Sequence, residues 1–547
     1  MLVGEAAGRA LAELGVRQAF GVVGSGNFHV TNALVSGGAR FVAARHEGGA
    51  VTMADAYARM SGEVAAVTLH QGCGLTNALT GITEAAKSRT PLLVLAAEAT
   101  VPGSNFFVDQ PGLASAVGAS SVRVSSASTA LDDVARAYAL ARDERRTVVV
   151  NLPLDVQGLL IDDGVSLRPV GPAAAPVPPP VPVPDVGELA ALLAGAERPV
   201  LIAGRGARHA RAELLALADA CGALVATSAV AKGLFHGSPW SLDVSGGFAS
   251  PLAASLISSA DVIVGFGCVL NMWTMRHGRL IGPSARVAQV DLDPDAVGRN
   301  RPVDLGVVGD SAAVAAAVTT ALGELTPSGP GYRGEEVRER IARELRWRDV
   351  PHDDWGGDGR VDPRSLTIAL DDLLPAERVV AVDSGNFMGY PSMYLSVPDE
   401  FGFCFTQAFQ SIGLGLATAI GAALARPDRL PVAALGDGGA LMAAAELDTV
   451  RRLGLPMVVV VYNDDAYGAE VHHFGSSAPL ETVTFPPTDI AAVGAGYGFD
   501  GVTVRSIGDL VAVREWLDGP RGRPLLIDAK VAAPQGSWWL EEAFRGH

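Results

Sequence analysis

Three acids stand out by type and spacing: Asp437 in Gly436-Asp437-Gly438-Gly439, Asp464 in Asn463-Asp464-Asp465, and Glu47 in Arg45-His46-Glu47-Gly48-Gly49. Asp437 follows the apolar run Pro431–Leu435, and Asn463-Asp464 follows a second run, Met457–Tyr462. Between them lies a helix-length segment, Ala440 to about Leu453, stopped by Gly454 and Pro456. The pattern predicts a strand–helix–strand unit with one carboxylate at the C-terminal end of each of two parallel strands. Ligands of doubly wound sheets bind at those ends, and the helix N-terminus between them favours phosphate. Two carboxylates facing a phosphate suit Mg²⁺. A Rossmann-like turn with a capping Asp is the plain alternative, but it leaves the second acid unexplained.

GDG, the 24 residues Gly439–Tyr462 and then Asn463-Asp464 resemble the thiamine-diphosphate motif, where Asn is usual at the position of Asp464. An Asp there keeps an oxygen ligand and adds a negative charge. The resemblance implies Mg²⁺ held by Asp437, Asp464 and the backbone carbonyl of Ala466. It places Gly436, Gly438, Gly439, Asn463, Gly385 and Asn386 around the cofactor, and Ile412 as the apolar prop that bends it. Glu47 alone reads as an acid favoured in a first helical turn, and a zinc HExxH motif fails because position 50 is Ala. By the resemblance, Glu47 hydrogen-bonds the aminopyrimidine ring and promotes its imino tautomer, a task for a carboxyl whose pKa is set by a desolvated site. In that family this glutamate and the diphosphate site face each other across two subunits, which implies a homodimer or a dimer of dimers.

Where acetolactate synthases carry a Ser-Gly-Pro-Gly-like loop, this chain has His70-Gln71-Gly72-Cys73-Gly74. His70, and Ser25 in Gly24-Ser25-Gly26, are more similar to benzoylformate decarboxylase. His29 is similar in placement to the active-site His of benzaldehyde lyase, and Glu470 to an active-site Glu of pyruvate decarboxylases. Histidine supplies or accepts protons near neutral pH; the plain readings are loop histidines bonded to backbone and a solvated helix glutamate. His472 and His473 are adjacent and point apart on a regular helix, against a joint metal site.

The function implied is thiamine-diphosphate- and Mg²⁺-dependent decarboxylation and/or carboligation of 2-oxo acids, acetolactate synthase-like. The alternative is an aryl or alkyl 2-oxo acid decarboxylase or hydroxyketone lyase of the benzoylformate decarboxylase or benzaldehyde lyase type. A non-catalytic cofactor-binding subunit is more remote, because such a chain has no need of Asp437, Asp464 and Glu47 together. A nicotinamide oxidoreductase is a further rival.

To position these residues the chain must alternate strands and helices, as it does from Val16 onward. The fold class expected is α/β, with three doubly wound parallel-sheet domains: pyrimidine-binding (1–165), central (186–325) and diphosphate/Mg-binding (360–547). Residues 171–185, GPAAAPVPPPVPVPD, read as a semi-rigid spacer, and about 326–362 as a polar connector. In the central domain, Gly204-Arg205-Gly206 lacks the third glycine of a dinucleotide fingerprint, because position 209 is His. Val287–Pro302 resembles the segment bordering FAD in acetolactate synthases, yet Gly267–Thr274 lacks their Arg-Phe-Asp-Asp pattern. A structural central domain is the default expectation, and FAD is second to it.

Of 547 residues, 49% are hydrophobic and 18% charged, which specifies a globular chain. A net charge of −17 argues against nucleic acid and anionic membrane partners; the resemblance implies small-molecule 2-oxo acid or aldehyde substrates. Phe401–Ala425 carries no charge and is long enough to span a bilayer. Its Gln407, Gln410, Ser411 and glycines favour a strand followed by a buried helix. Four cysteines without a CxxC pair, and an amphipathic N-terminus unlike a signal peptide, point to the cytoplasm. The tail Gln535–Leu540 reads as either a lid or a packed end.

Overall fold

The computed structural model describes residues 1–161, 185–326 and 329–543, so all but the last residue of the proline-rich segment lies outside the described residues. The first sheet contains β1 (Gln18–Gly21), β2 (Arg40–Ala43), β3 (Ala65–Leu69), β4 (Leu92–Glu98), β5 (Ser120–Arg123) and β6 (Thr147–Pro153), in the order β2-β1-β3-β4-β6-β5. The second contains β7 (Pro199–Ala203), β8 (Leu224–Thr227), β9 (Ser241–Val244), β10 (Val262–Phe266), β11 (Arg286–Asp291) and β12 (Leu305–Val308), in the order β12-β11-β10-β7-β8-β9. The third contains β13 (Arg378–Val382), β14 (Phe403–Phe405), β15 (Leu430–Gly436), β16 (Val458–Asn463), β17 (Asp500–Val504) and β18 (Leu525–Lys530), in the order β14-β13-β15-β16-β18-β17. All three sheets are parallel. Their inner strands are continuous apolar runs such as Val432–Leu435 and Val458–Val461, buried on both faces as such sheets require. The first and third sheets share one strand order, and the second has the order typical of dinucleotide-binding folds.

The first and third domains meet through the helices Glu47–Ser61 and Gly415–Ala425, and Met53, Ala54, Leu416 and Ile420 share one hydrophobic core. This burial accounts for the uncharged stretch Phe401–Ala425, which is strand β14 followed by a covered helix. Among the described residues no helix is long and apolar enough to cross a membrane.

Two elements differ from the sequence reading. The connector contains a helix, Glu335–Glu344, whose Ile341 packs with Tyr332 into the core of the central domain. The segment Ala440–Leu453 is not one helix: Asp437–Met442 and Leu447–Leu453 are separated by a turn at Ala443–Glu446. At that break Glu446 accepts from the N–H groups of Arg45 and His46 in the first domain. The tail is a packed end, with Trp539 buried edge-on to Tyr390 at a centroid distance of 5.1 Å.

Candidate cofactor site

The C-terminal ends of β13, β15 and β16 form the first half of the site. The helix Asp437–Met442 leaves β15 so close to β13 that a Cβ on Gly439 would sit 2.1 Å from Asp383 Oδ2. Asp383 is fully buried and accepts from the N–H groups of Gly413 (2.9 Å) and Leu414 (3.2 Å), which fixes the backbone just after Ile412. Burial pushes its carboxyl up to about 6, against the opposing effect of those N–H donors.

Asp437 and Asp464 come together at the ends of β15 and β16. Burial pushes Asp437 up to about 6, with Asp465 adding to the rise. Burial also pushes Asp464 up to about 7, with Asp437 adding to it. The N–H of Ala466 faces both carboxyls. Asn463 is buried and directed into the fold: its Nδ2 donates to Asp528 (2.9 Å) and its Oδ1 accepts from Asp465 N–H (3.1 Å). It shapes the turn rather than extending from it. Asp465 has a left-handed φ of 57° and is held by Arg360 at 2.7 Å. Asp383, Asp528 and Arg360 were not singled out from sequence, and only the acid at the end of a strand gave any local signal.

A pocket of about 310 Å³ lies over Asp437, Gly438, Asn463, Asp465 and Tyr467. Among the described residues no three His, Cys, Asp or Glu side chains gather as a metal-ligand set. A cation at Asp437 and Asp464 therefore needs further oxygens from a bound group, as a diphosphate supplies. Two buried carboxyls, one of them raised by the other, fit that demand, since a cation relieves the repulsion. Gly385 has a positive φ of 139°, and Asn386 beside it accepts from Ser537 Oγ through its carbonyl at 2.9 Å. Gly385, Ile412 and Glu470 line a second, larger cleft of about 2190 Å³, which runs on to Gly204–Gly206 and Gly267 of the central domain. There the residues after Gly204 form a 3₁₀ turn, Arg205–Ala210, and the following helix begins only at Arg211, so no fingerprint helix starts at Gly206.

The second half belongs to the first domain. Glu47 opens the helix Glu47–Ser61, half-buried, and its Oε2 accepts from Asn77 Nδ2 at 3.1 Å. His70 Nδ1 accepts from Gly26 N–H at 3.3 Å, and its ring lies edge-on to Phe106 at 5.3 Å. An accepting Nδ1 selects the neutral tautomer with the proton on Nε2. Ser25 is exposed in the same turn, and Gln71 is buried with an unpartnered Oε1. His29 is directed elsewhere: it is exposed and faces Glu5 of the first helix at 3.7 Å. Among the described residues no hydrogen bond or ion pair joins Glu47 to Asp437 or Asp464 in one chain.

Comparison with known proteins bears on both halves. Residues 1–117 match the N-terminal TPP binding domain of thiamine pyrophosphate (thiamine diphosphate) enzymes, 186–318 the central domain, and 383–529 the C-terminal TPP binding domain. The chain is similar to a sulfoacetaldehyde acetyltransferase of Rhodobacter capsulatus, 30% identical over 99% of this chain and 96% of that protein. It is 28% identical to a probable acetolactate synthase large subunit of Methanocaldococcus jannaschii, over 85% and 80% of the two chains. A probable 2-ketoarginine decarboxylase of Pseudomonas aeruginosa is 29% identical, over 91% and 88%. The halves built around Glu47 and Asp437 thus fall in the two domains that bind this cofactor, and with a relative aligned almost end to end the chain belongs to the thiamine pyrophosphate enzyme family.

Proposed function

We propose that this thiamine-diphosphate-dependent enzyme uses Mg²⁺ to remove CO₂ from a 2-oxo acid and to pass the remaining acyl unit to a second carbonyl compound, as acetolactate synthase-like carboligases do. The observation that carries the metal assignment is the pair of buried carboxyls Asp437 and Asp464 at adjoining strand ends, the second raised by the first. The acyl-transfer assignment draws on the two relatives whose names denote acetyl transfer and acetolactate synthesis.

When bound, thiamine diphosphate supplies a nucleophilic carbon and an electron sink. Asp437, Asp464 and the Ala466 carbonyl would hold the cation, with Gly436, Gly438 and Gly439, which let the chain pass close to Phe387, Tyr467 and Asp383, beside the diphosphate, and Gly385 and Asn386 near it. Ile412, its backbone fixed through Asp383, would support the cofactor with an apolar side chain. Glu47 holds a proton at the aminopyrimidine, and His70 presents its Nε2 proton to the reacting carbonyl. Glu470, in the cleft with Ile412, is a further proton carrier. Ser25 borders the pocket from the turn that fixes His70. His29, facing Glu5, is left without a place in this scheme.

In the family this chain belongs to, such a glutamate and the diphosphate site face each other across two subunits, so the working unit proposed is a homodimer or a dimer of dimers, in the cytoplasm. Exposed apolar side chains near both halves, Phe28 and Phe106 on one and Leu441 and Met442 on the other, support a second copy covering them.

A second reading, 2-oxo acid decarboxylase or lyase, is favoured by the fixed His70 ring and by the decarboxylase relative. A flavin in the central cleft is a lesser reading, tested by visible absorbance of the purified protein. The deciding experiment supplies pyruvate or benzoylformate with cofactor and Mg²⁺, with and without sulfoacetaldehyde, and identifies the products. A ligated or acetyl-transfer product is expected. Aldehyde alone would replace the first reading with the second, and no cofactor-dependent turnover would leave a non-catalytic cofactor-binding subunit.

A further inference from the structure

The residues leading into Glu47 are gripped by the third domain. Glu446 is 3% exposed, and its Oε1 accepts from the N–H groups of Arg45 and His46, both at 3.0 Å. Its Oε2 accepts from Thr449 Oγ1 at 2.6 Å, which fixes the carboxylate plane. Two residues after Glu446, Asp448 pairs with Arg45 at 2.6 Å, and Arg452 Nη2 in the same helix donates to the Ala43 carbonyl at 2.6 Å. Gly49 packs so closely that a Cβ there would lie 2.5 Å from Glu446 Oε1. Three of the four residues before Glu47, namely Ala43, Arg45 and His46, are therefore addressed from one short stretch of another domain, while among the described residues the Glu47 side chain has only Asn77 as a hydrogen-bond partner.

Adhesion between domains would be served by side-chain pairs anywhere along the contact. Here a buried carboxylate instead directs its charge-assisted bonds at the two peptide N–H groups just before the helix that Glu47 opens. The direction in which that helix leaves the strand, and with it the reach of Glu47, depends on those two bonds. A carboxyl that must address one ring atom tolerates little displacement.

We infer that Glu446 is a positioning residue for Glu47, setting the backbone from which Glu47 meets the aminopyrimidine. This rests on the role of Glu47 proposed above. It also ties the two halves of the site within one chain, because Glu446 sits in the turn that follows the Asp437 helix.

The test compares Glu446→Ala, Glu446→Gln, Gly49→Ala and Glu47→Gln with the parent. Two quantities are read: C2 hydrogen–deuterium exchange of thiamine diphosphate on the holoenzyme, and amide exchange of residues 43–50 in the cofactor-free protein. Glu446→Ala is expected to slow C2 exchange by about 10- to 100-fold, to deprotect the Arg45 and His46 amides, and to leave cofactor affinity and denaturation temperature close to the parent's. Glu446→Gln keeps an acceptor oxygen and retains most of the rate. Gly49→Ala displaces the carboxylate without removing it and follows Glu446→Ala, which keeps the question open to test even if Glu446→Ala folds poorly. A parent-like C2 rate in Glu446→Ala and Gly49→Ala, with Glu47→Gln slow, would overturn the positioning role alone. Loss of cofactor affinity in parallel with the rate would also overturn it, in favour of a structural role. An unaffected rate in Glu47→Gln would instead remove the reading of Glu47 itself, and this inference with it.

Discussion

Glu84, in the helix Cys73–Lys87 of the first domain, accepts from the backbone N–H of Phe409 in the third domain at 2.6 Å. Its other oxygen accepts from Ala408 N–H at 3.1 Å and from Arg59 at 2.8 Å. Arg59 in turn donates to the Phe405 carbonyl at 3.1 Å and pairs with Asp55 at 2.6 Å. The segment Phe405–Leu414 is thereby held at its start from the first domain and at its end by Asp383. Ile412 lies between those anchors.

Removing Arg59 leaves Asp55 and Glu84 buried together without a cation. Burial alone would raise Glu84, but Arg59 and the two N–H donors hold it below its ordinary value. Arg59→Ala is therefore expected to cost about 3–5 kcal/mol, and Glu84→Gln about 1–3 kcal/mol, measured by denaturant unfolding. A depressed carboxyl contributes stability that is present above its unfolded pKa and lost as pH falls through the folded one. The Glu84→Gln penalty should therefore shrink in acid.

Asp383, Asp437 and Asp464 act in the opposite sense. Their folded values of about 6, 6 and 7 lie above the ordinary 3.8, so between these limits the folded state binds more protons than the unfolded one. Stability without cation therefore falls as pH rises through that window. The cofactor-free denaturation temperature should be lower at about pH 8 than at about pH 5.5, with Mg²⁺ and thiamine diphosphate raising it more at the higher pH. An equal ligand-induced rise at both pH values would contradict the paired-carboxylate site.

The strand-end acids and the alternation of strands and helices could be read from local pattern, because apolar runs and glycine turns are set within a few residues. The three parallel sheets follow from that alternation. What could not be read is reach. Glu446 touches Arg45 across 401 positions, and Glu84 touches Phe409 across 325; a buried acid in a helix gives no local sign of such a partner. His29 shows the converse: it is near Ser25 in sequence, but the helix Phe28–Ser36 presents it to Glu5. Asn463 was legible as a strand-end amide, yet its side chain faces Asp528, a residue whose neighbours on β18 mark it only as part of a core strand.

Asp464 raises a question of charge. Asp464→Asn keeps an oxygen and removes a carboxyl that burial and Asp437 push up to about 7, so cation binding should lose the pH dependence that this group adds near neutrality. Mg²⁺ affinity should fall by roughly tenfold or less, as one charge-assisted ligand becomes neutral. Asp437→Asn, at the start of the helix, should abolish Mg²⁺-dependent cofactor retention. Both are read by equilibrium dialysis with thiamine diphosphate across pH.

His70 separates the two proposed outcomes. Its Nδ1 is occupied by Gly26 N–H, so the ring can donate only from Nε2 without losing that bond. If that proton completes aldehyde release, His70→Ala removes the donor while leaving the metal pair and Glu47 in place. Aldehyde formation should fall by about 100-fold, and the acyl unit, released more slowly as aldehyde, should be partitioned toward a second carbonyl acceptor. Phe106→Ala keeps the donor but removes the edge contact that steadies the ring, so the same shift in products should appear with smaller amplitude. Product ratios at fixed acceptor concentration measure this directly. An aldehyde-to-ligation ratio unchanged in His70→Ala would mean that protonation comes from another group, and Glu470, in the cleft beside Ile412, would be the next to replace.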